Sequence, residues 1–322
     1  MKKNIVITLL GSLITSSAVA GVGIFDASRF SGELFLNTGF ATSDSNLSTK
    51  QSAMVQQLDE SSNTKYTYLI APFGNINYAI NSKNTQRFYL GTSRDDIAVG
   101  TLAFELGYQH DFTSGTTLDI SYLPTIMSGE VWKNPYLIGS PRSKTDQEGN
   151  AFRIKLANIM RSGVTIDTAY TVSDIDDERI TDSTLHRGGD SFYLRGKYLN
   201  MLNRGSGLIY SLGYTNRSAD GKAASFSAYE AEITYFIKSG RHSTAITSSY
   251  IYRHYDAINP VFKQEQSDDE LSLFIAYEYE NFAGWGKQWA VTTLASYGLN
   301  RSNIDFYNSN EALLLVGLRY SF

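Results

Sequence analysis

Apolar residues recur at every second position along almost the whole chain. At the C-terminus Leu314, Val316, Leu318, Tyr320 and Phe322 alternate with Leu315, Gly317, Arg319 and Ser321. Leu271, Leu273, Ile275, Tyr277 and Tyr279 alternate with Ser272, Phe274, Ala276, Glu278 and Glu280. Upstream, Tyr229, Ala231, Ile233 and Tyr235 alternate with Glu230, Glu232 and Thr234, and Leu208, Tyr210, Leu212 and Tyr214 oppose Ser211, Gly213 and Arg217. Phe192 and Leu194 oppose Arg195 and Lys197, Phe152, Ile154 and Leu156 oppose Arg153 and Lys155, and Tyr66, Tyr68 and Ile70 oppose Lys65 and Thr67. A period of two is the signature of a strand with chemically different faces. One face of nearly every segment carries no charge and ends in Tyr or Phe. The other is polar and rich in Gly, Ala and Ser.

Tight turns near Ser82–Thr85, Thr113–Thr116, Arg161–Gly163, Asn203–Gly207, Ser239–His242 and Gly284–Lys287 alternate with longer polar connections. Most contain Gly or Asn, as hairpin turns require. The longer ones lie near Ser43–Asn63, Arg94–Ile97, Met127–Asn150, Asp174–Gly188, Ala219–Lys222, Asp256–Asp268 and Ser302–Asn308. This partition predicts an all-β chain of about 14 strands, the even number found in bacterial membrane barrels. The count becomes 12 if two weak segments merge. Pro72, inside the second strand, suggests a bulge there.

Alternation alone does not separate a soluble sandwich from a barrel whose apolar face meets lipid. The N-terminus bears on this choice. Lys2 and Lys3, an apolar stretch from Ile5 to Ile14, and Ala18-Val19-Ala20 read as a signal peptide over residues 1–20, cleaved after Ala20. The apolar run is shorter than the roughly 20 residues a membrane helix needs. Export, aromatic residues at strand ends and a terminal Phe322 together favour a transmembrane, antiparallel, up-and-down β-barrel over residues 21–322. The expected site is the outer membrane, with the longer loops outside the cell. The few residues before the first strand are too short for a plug domain, although Val22 to Asp26 would fit into the periplasmic mouth.

Composition narrows the chemistry. The chain of 322 residues has no cysteine, which rules out disulfides and thiolate metal sites. Its 28 basic groups less Lys2 and Lys3 leave 26 against 32 acidic ones, a net −6, so nucleic acid is not the expected partner. About 14 strands leave a narrow lumen. Its inward positions carry small residues and charges rather than bulky aliphatics, which suggests water inside.

Those inward charges form the candidate site. Arg153, Lys155, Arg195, Lys197 and Arg217 fall on the sixth, eighth and ninth predicted strands. Glu230, Glu232, Glu278 and Glu280 fall on the tenth and twelfth. A basic sector beside an acidic one would set a transverse field across a pore and orient small polar or zwitterionic solutes. The competing reading is that these charges pair across strands and brace the wall. The longest connection, Met127–Asn150, carries Trp132, Tyr136, Leu137 and Ile138. Such an apolar cluster is expected to fold into the barrel mouth and constrict it, or else to pack against neighbouring loops.

Acidic loops at Asp174, Asp176, Asp177 and Glu178, and at Asp268, Asp269 and Glu270, read as solvated charge or as a place where divalent cations bridge lipopolysaccharide. Their spacing is not that of an EF-hand. There are four His. His254, near Asp256, is the one at an outer strand end, and neither a Gly-x-Ser-x-Gly elbow nor a His-Glu-x-x-His motif occurs. No enzyme, metal or cofactor is therefore expected.

The terminal Leu318-Arg319-Tyr320-Ser321-Phe322 looks like the signal read by barrel-assembly machinery. The mature chain also resembles a family of exported Gram-negative proteins known as a domain of unknown function. The resemblance lies in Glu130-Val131-Trp132-Lys133-Asn134-Pro135-Tyr136, Asn158-Ile159-Met160-Arg161-Ser162-Gly163, Asp177-Glu178-Arg179 and Asn303-Ile304-Asp305-Phe306-Tyr307. It implies an outer-membrane barrel and transfers no substrate and no catalytic residue. The expected function is a porin-like channel for small hydrophilic solutes, set in the lipid bilayer and its lipopolysaccharide. The alternatives are a non-conducting surface barrel that binds an extracellular partner through its loops, and an outer-membrane hydrolase.

Overall fold

Fifteen strands hydrogen-bond in one antiparallel sheet in the computed structural model, which describes residues 29–59, 62–92, 104–124 and 129–322. The predicted leader over 1–20, the segment Val22 to Asp26, the connection at Arg94–Ile97 and Met127 lie outside the described residues. The strands are β1 (Phe30–Ser43), β2 (Lys65–Ala79), β3 (Gln86–Thr92), β4 (Phe104–Asp111), β5 (Thr117–Pro124), β6 (Gly129–Trp132), β7 (Lys144–Ala157) and β8 (Val164–Ile175). They continue with β9 (Gly189–Asn203), β10 (Ser206–Ala219), β11 (Phe226–Ser239), β12 (His242–Asn259), β13 (Gln264–Glu280), β14 (Trp289–Ser302) and β15 (Ser309–Ser321).

Sequential neighbours pair except β5 and β6, β1 pairs with β15, and β5 pairs with β7. That last ladder, Thr117↔Ala157 to Pro124↔Asn150, closes the ring. β6 pairs with β7 above it, Gly129↔Gln147 to Trp132↔Lys144, on the same edge that β5 uses. It therefore extends β5 upward and adds no wall position, and the result is a closed barrel of 14 strands.

The face that alternation marks as apolar points outward. Leu212, Tyr66 and Leu36 are 70%, 77% and 60% exposed. In water so large an exposed apolar band would drive association. In lipid it is the stable arrangement. Aromatic pairs gather at two levels. Phe30–Tyr78 and Trp289–Tyr320, each with centroids 4.8 Å apart, lie near the chain ends. Phe40–Tyr68, Tyr122–Phe152 and Tyr214–Tyr229 lie at 5.1–5.5 Å towards the long-loop end. These are the two girdles of a membrane barrel.

Three expectations need correction. The ladder between β1 and β2 runs unbroken through Leu36↔Pro72, so there is no bulge at Pro72. The β2–β3 ladder stops at Asn75↔Gly91. Pro72 thus sits where the described residues of β3 offer no ladder to interrupt, an edge position that tolerates a missing N–H. The span Met127–Asn150 is not one loop, because residues 129–132 and 144–150 continue the wall strands. Residues 144–150 carry polar side chains or glycine on both faces, so they lack the apolar alternation that marks a strand in sequence. The longest described connection is instead residues 44–64. The inner wall, third, is not free of bulky aliphatics. On β2 and β13–β15 it carries Leu69, Phe274, Leu294, Leu313 and Leu315, all buried.

Leu212→Arg puts a charge at mid-height on the lipid face and is expected to cost about 2–4 kcal/mol. Urea titration of the barrel refolded into vesicles measures this cost. A change at the adjacent inward Ser211 of the same strand carries no such lipid penalty.

Candidate functional site: the lumen and its capped mouth

The polar face of β4 to β11 forms a charged arc in which cations and carboxylates interleave. Arg153 on β7 is 6% exposed and grips Asp167 on β8, which is 1% exposed, with Nε donating to Oδ1 at 2.8 Å. Glu105 on β4 stands 3.9 Å from the same guanidinium. Lys155 lies 3.4 Å from Asp119 on β5. Asp119 also takes the Tyr89 hydroxyl at 2.7 Å and Gln109 Nε2 at 2.8 Å. Gly107 makes this possible. A Cβ there would stand 2.2 Å from the Tyr89 ring, so glycine opens the space that the phenol crosses.

Small residues recur between charge partners. Arg195 on β9 and Glu230 on β11 face the same β10 residue, Gly213. Arg195 Nη2 reaches across it to both Glu230 oxygens, at 2.8 and 2.7 Å. One row lower, Ser211 separates Lys197 from Glu232 and donates to the latter at 3.1 Å. Lys238 reaches Glu280 at 2.7 Å, and Arg319 holds Glu278 at 2.9 and 3.0 Å with Glu33 at 3.3 Å. The expected basic and acidic sectors are therefore not separate. Asp119, Asp167 and Glu105 sit among the cations, and Arg319 and Lys238 among the acids. Pairing this close offsets the cost of burying the charges.

Above the Arg319 network, the opposite arc carries an apolar patch. Leu69, Ala71, Phe274, Leu294, Leu313 and Leu315 form one buried cluster, with Ala41, Phe73 and Ala276 against it. Rows such as Gly39↔Leu69 and Gly39↔Leu315 bring the side chains together across three strands. The cluster centres on β15. The charged arc centres on β8, halfway round the ring.

Six connections converge over the outer mouth. Tyr136, between β6 and β7, packs on Phe306 at 5.6 Å and Phe262 at 6.1 Å, and its hydroxyl meets that of Tyr307 at 2.8 Å. Asn259 Nδ2 donates to the Tyr307 hydroxyl at 2.9 Å. Tyr136 also packs on Ile180, Leu185 and Ala223 from the loops after β8 and β10. Phe262 and Phe306 come from the far side of the ring, and Ile180, Leu185 and Ala223 from the near side, so Tyr136 spans the mouth. Burial pushes the Tyr136 and Tyr307 hydroxyls above their ordinary pKa.

Trp132 is 1% exposed and sits under residues 44–59, its Nε1 donating to the Ser48 carbonyl at 3.2 Å. Arg142 stacks over its ring at 4.2 Å and donates to the carbonyls of Asn46, Pro135 and Ser52 at 2.8, 3.3 and 2.7 Å. Burial without a carboxylate lowers this guanidinium to about 10. Leu137 and Ile138 are exposed and take no part in the buried cluster.

The acidic loops are tied internally. Asp177 binds Lys133 and Arg179, which hold its carboxyl down to about 2, and Glu178 binds Arg187. Asp268 binds Arg253 at 3.3 Å, and Asp269 takes the Tyr250 hydroxyl. Among the described residues no group of three or more His, Asp or Glu is disposed to hold a metal ion. His254 and Asp256 are exposed, and both share the outward face of β12 with Tyr250 and Tyr252. His186 lies 3.1 Å from the Ile180 carbonyl. Sequence reading missed Asp119, Asp167, Arg319 and Tyr89. The available signal was the matching of small residues between charges two strands apart.

A closed antiparallel barrel with a lipid-facing apolar band and a polar, ion-paired interior is a transmembrane β-barrel of the outer-membrane type. The chain belongs to the family described as Protein of unknown function (DUF2860), whose model matches residues 30–321. No curated protein matches it. Among solved structures it is similar to a mutant of the monoaromatic hydrocarbon channel TodX, at 12% identity over 92% of this chain and 91% of that one, with TM-score 0.48. It is also similar to a FadL homologue of Pseudomonas aeruginosa, at 11% identity over 91% and 90%, with TM-score 0.48. A third is an anion-selective porin of Comamonas acidovorans, at 8% identity over 91% and 98%, with TM-score 0.41.

Asp167→Asn leaves the buried Arg153 without its closest partner and is expected to cost about 3–5 kcal/mol of barrel stability. Thermal loss of β-sheet signal in detergent measures it. Arg142→Ala releases residues 44–59 from the β6–β7 hairpin. Protease added to intact cells should then cut this surface at a rate at least severalfold higher than in the parent.

Proposed function

We propose that this barrel is an outer-membrane channel for passive diffusion of small polar or charged solutes, with a mouth narrowed by its own loops. One observation carries the reading. The charged arc between β4 and β11 is a chain of hydroxyl, amide and ionic groups, and such groups persist inside a membrane where they pair with one another or line a water-filled cavity. The apolar arc around β15 fills one side, so the hydrated path runs along β7 to β11. Tyr136 and its partners close over this path from outside. No catalytic step belongs to the reading. The chain would reach its membrane after losing residues 1–20, be assembled through its C-terminal strand, and meet lipopolysaccharide around its upper rim.

A second reading has a specific observation behind it. Six connections meet over the mouth through buried aromatic contacts, as expected of a non-conducting barrel that displays a fixed loop surface to a partner. Single-channel recording of the purified barrel in planar bilayers separates the two. The channel reading expects discrete conductance steps, and Tyr136→Ala is expected to enlarge them or their frequency by about twofold or more, since the constricting contact is lost. Absence of steps in both proteins would defeat it in favour of the surface barrel.

A further inference from the structure

The six tight turns share a charge pattern that the lumen does not explain. They span residues 80–85, 112–116, 158–163, 204–205, 240–241 and 281–288. None contains Asp or Glu, and five carry a single cation each: Lys83, Arg161, Arg204, Arg241 and Lys287. All five are exposed, and none enters an ion pair among the described residues. The sixth turn is covered from its neighbour. Arg161 Nη2 donates to the Thr113 carbonyl at 3.2 Å, and its stem lies so near that a Cβ at Gly115 would stand 2.3 Å from Arg161 Cγ. Because the sheet is antiparallel and closed, the turns follow one another round one end of the barrel and form a basic collar. The connections at the other end mix both signs, as in Asp177 beside Arg179 and Glu178 beside Arg187.

The barrel does not cancel the collar's charge from within. Glu33, Asp111, Glu278 and Glu280 lie at the same end, but they face the lumen and are held by Arg319, Arg87 and Lys238. Phe322 brings one terminal carboxylate, which Arg29 offsets. Each collar cation also has an exposed apolar side chain close to it in the chain. Met160 precedes Arg161, Leu202 lies two residues before Arg204, Trp285 two before Lys287, and Ile80 three before Lys83. Ile237 lies on the outward face of β11, four residues before Arg241. These side chains carry the lipid-facing band on to the turns, so the cations stand at the boundary of the bilayer. An apolar anchor beside a basic head holds a segment at headgroup level.

We infer that the collar binds anionic phospholipid headgroups, of the phosphatidylglycerol kind, in the periplasmic leaflet. Unpaired guanidinium and ammonium groups gain most from phosphate oxygens. Successive turns from residues 158–163 onward are two strands apart, about 10 Å, so each cation meets a separate headgroup. Charges at this spacing are only partly screened and attract anionic lipid together. Discrete cations with apolar anchors, spread round a ring, fit a leaflet of separate lipids better than the continuous face of an acidic protein. The inference holds whether or not the barrel conducts.

Native mass spectrometry of the full barrel in detergent, with equimolar phosphatidylglycerol and phosphatidylcholine, tests it. Phosphatidylglycerol adducts are expected to exceed phosphatidylcholine adducts by about fivefold or more, the effect of even one basic residue near an anionic surface. Lys83→Gln, Arg161→Gln, Arg204→Gln, Arg241→Gln and Lys287→Gln together should bring the ratio to about one. Arg161→Lys, Arg204→Lys and Arg241→Lys together keep the charge and should keep the preference. Gln in place of Lys50, Lys222, Lys263 and Arg301, at the other end, should leave it unchanged. Equal adducts of the two lipids on the wild-type barrel would overturn the proposal without any variant, and would leave the collar to an acidic protein. An unchanged ratio in the five-Gln barrel would also overturn it. So would an equal loss in the other-end variant, because net charge rather than the collar would then set the preference.

Discussion

The structure depends on the ladder between β5 and β7. Lipid offers no hydrogen bond, so a sheet that crosses it must pair its first strand with its last and leave no open edge in between. β1 meets β15 without difficulty, because both end at the same level. The closure between β5 and β7 is harder, since the chain rises beyond the bilayer between them. β6 resolves this by continuing the β5 edge for four residues after a two-residue change of register. The same extension holds the β6–β7 hairpin upright, and from there Tyr136 reaches across the mouth. Closure of the wall and capping of the lumen thus follow from one pairing.

Closure also decides how charge is stored. Once the ring is closed, every second side chain is confined to a narrow interior, and an isolated ion there is costly. The wall answers with a repeated arrangement of a cation, a small residue on the next strand, and a carboxylate one strand beyond. Arg195, Gly213 and Glu230 follow it, as do Lys197, Ser211 and Glu232. The glycine or serine serves as clearance rather than as a hinge. A side chain at Gly213 would meet the Glu230 carboxylate at 2.9 Å. Such pairs neutralise the wall locally, so any field acting on a passing solute comes from the groups left without a counter-ion.

Alternation made the number of strands, their facing and the six tight turns legible, because lipid demands an unbroken apolar face and a two-residue period records it directly. Legibility ended at the edge of the bilayer. Residues 144–150, Lys-Thr-Asp-Gln-Glu-Gly-Asn, form regular strand with no apolar side chain on either face, and nothing in their polarity distinguishes them from a loop. Charge pairing was legible only as composition. Arg153 and Lys155 appear as a basic pair until the register places Asp167 and Asp119 beside them, and register is a property of two strands at once. Leu69, Leu294 and Leu315 were missed because they occupy the polar parity of their strands, where alternation assigns a wet face. The apolar cluster in the loop was visible as Trp132 and Tyr136. Tyr136 buries because of partners more than a hundred residues away, Phe262, Phe306 and Tyr307, and Trp132 because of residues 44–59 and Arg142, while Leu137 and Ile138 stay exposed.

Fourteen strands enclose more space than side chains of ordinary size fill from both sides, yet the wall is not uniformly polar. The apolar cluster on β2 and β13–β15 makes one side of the interior dry, and in the proposed channel the hydrated cross-section then lies against β7 to β11. A path pressed against one arc brings a solute close to that arc's charges. It is also more selective than a wide one, because the distance over which an uncompensated charge acts in salt is about 8–10 Å.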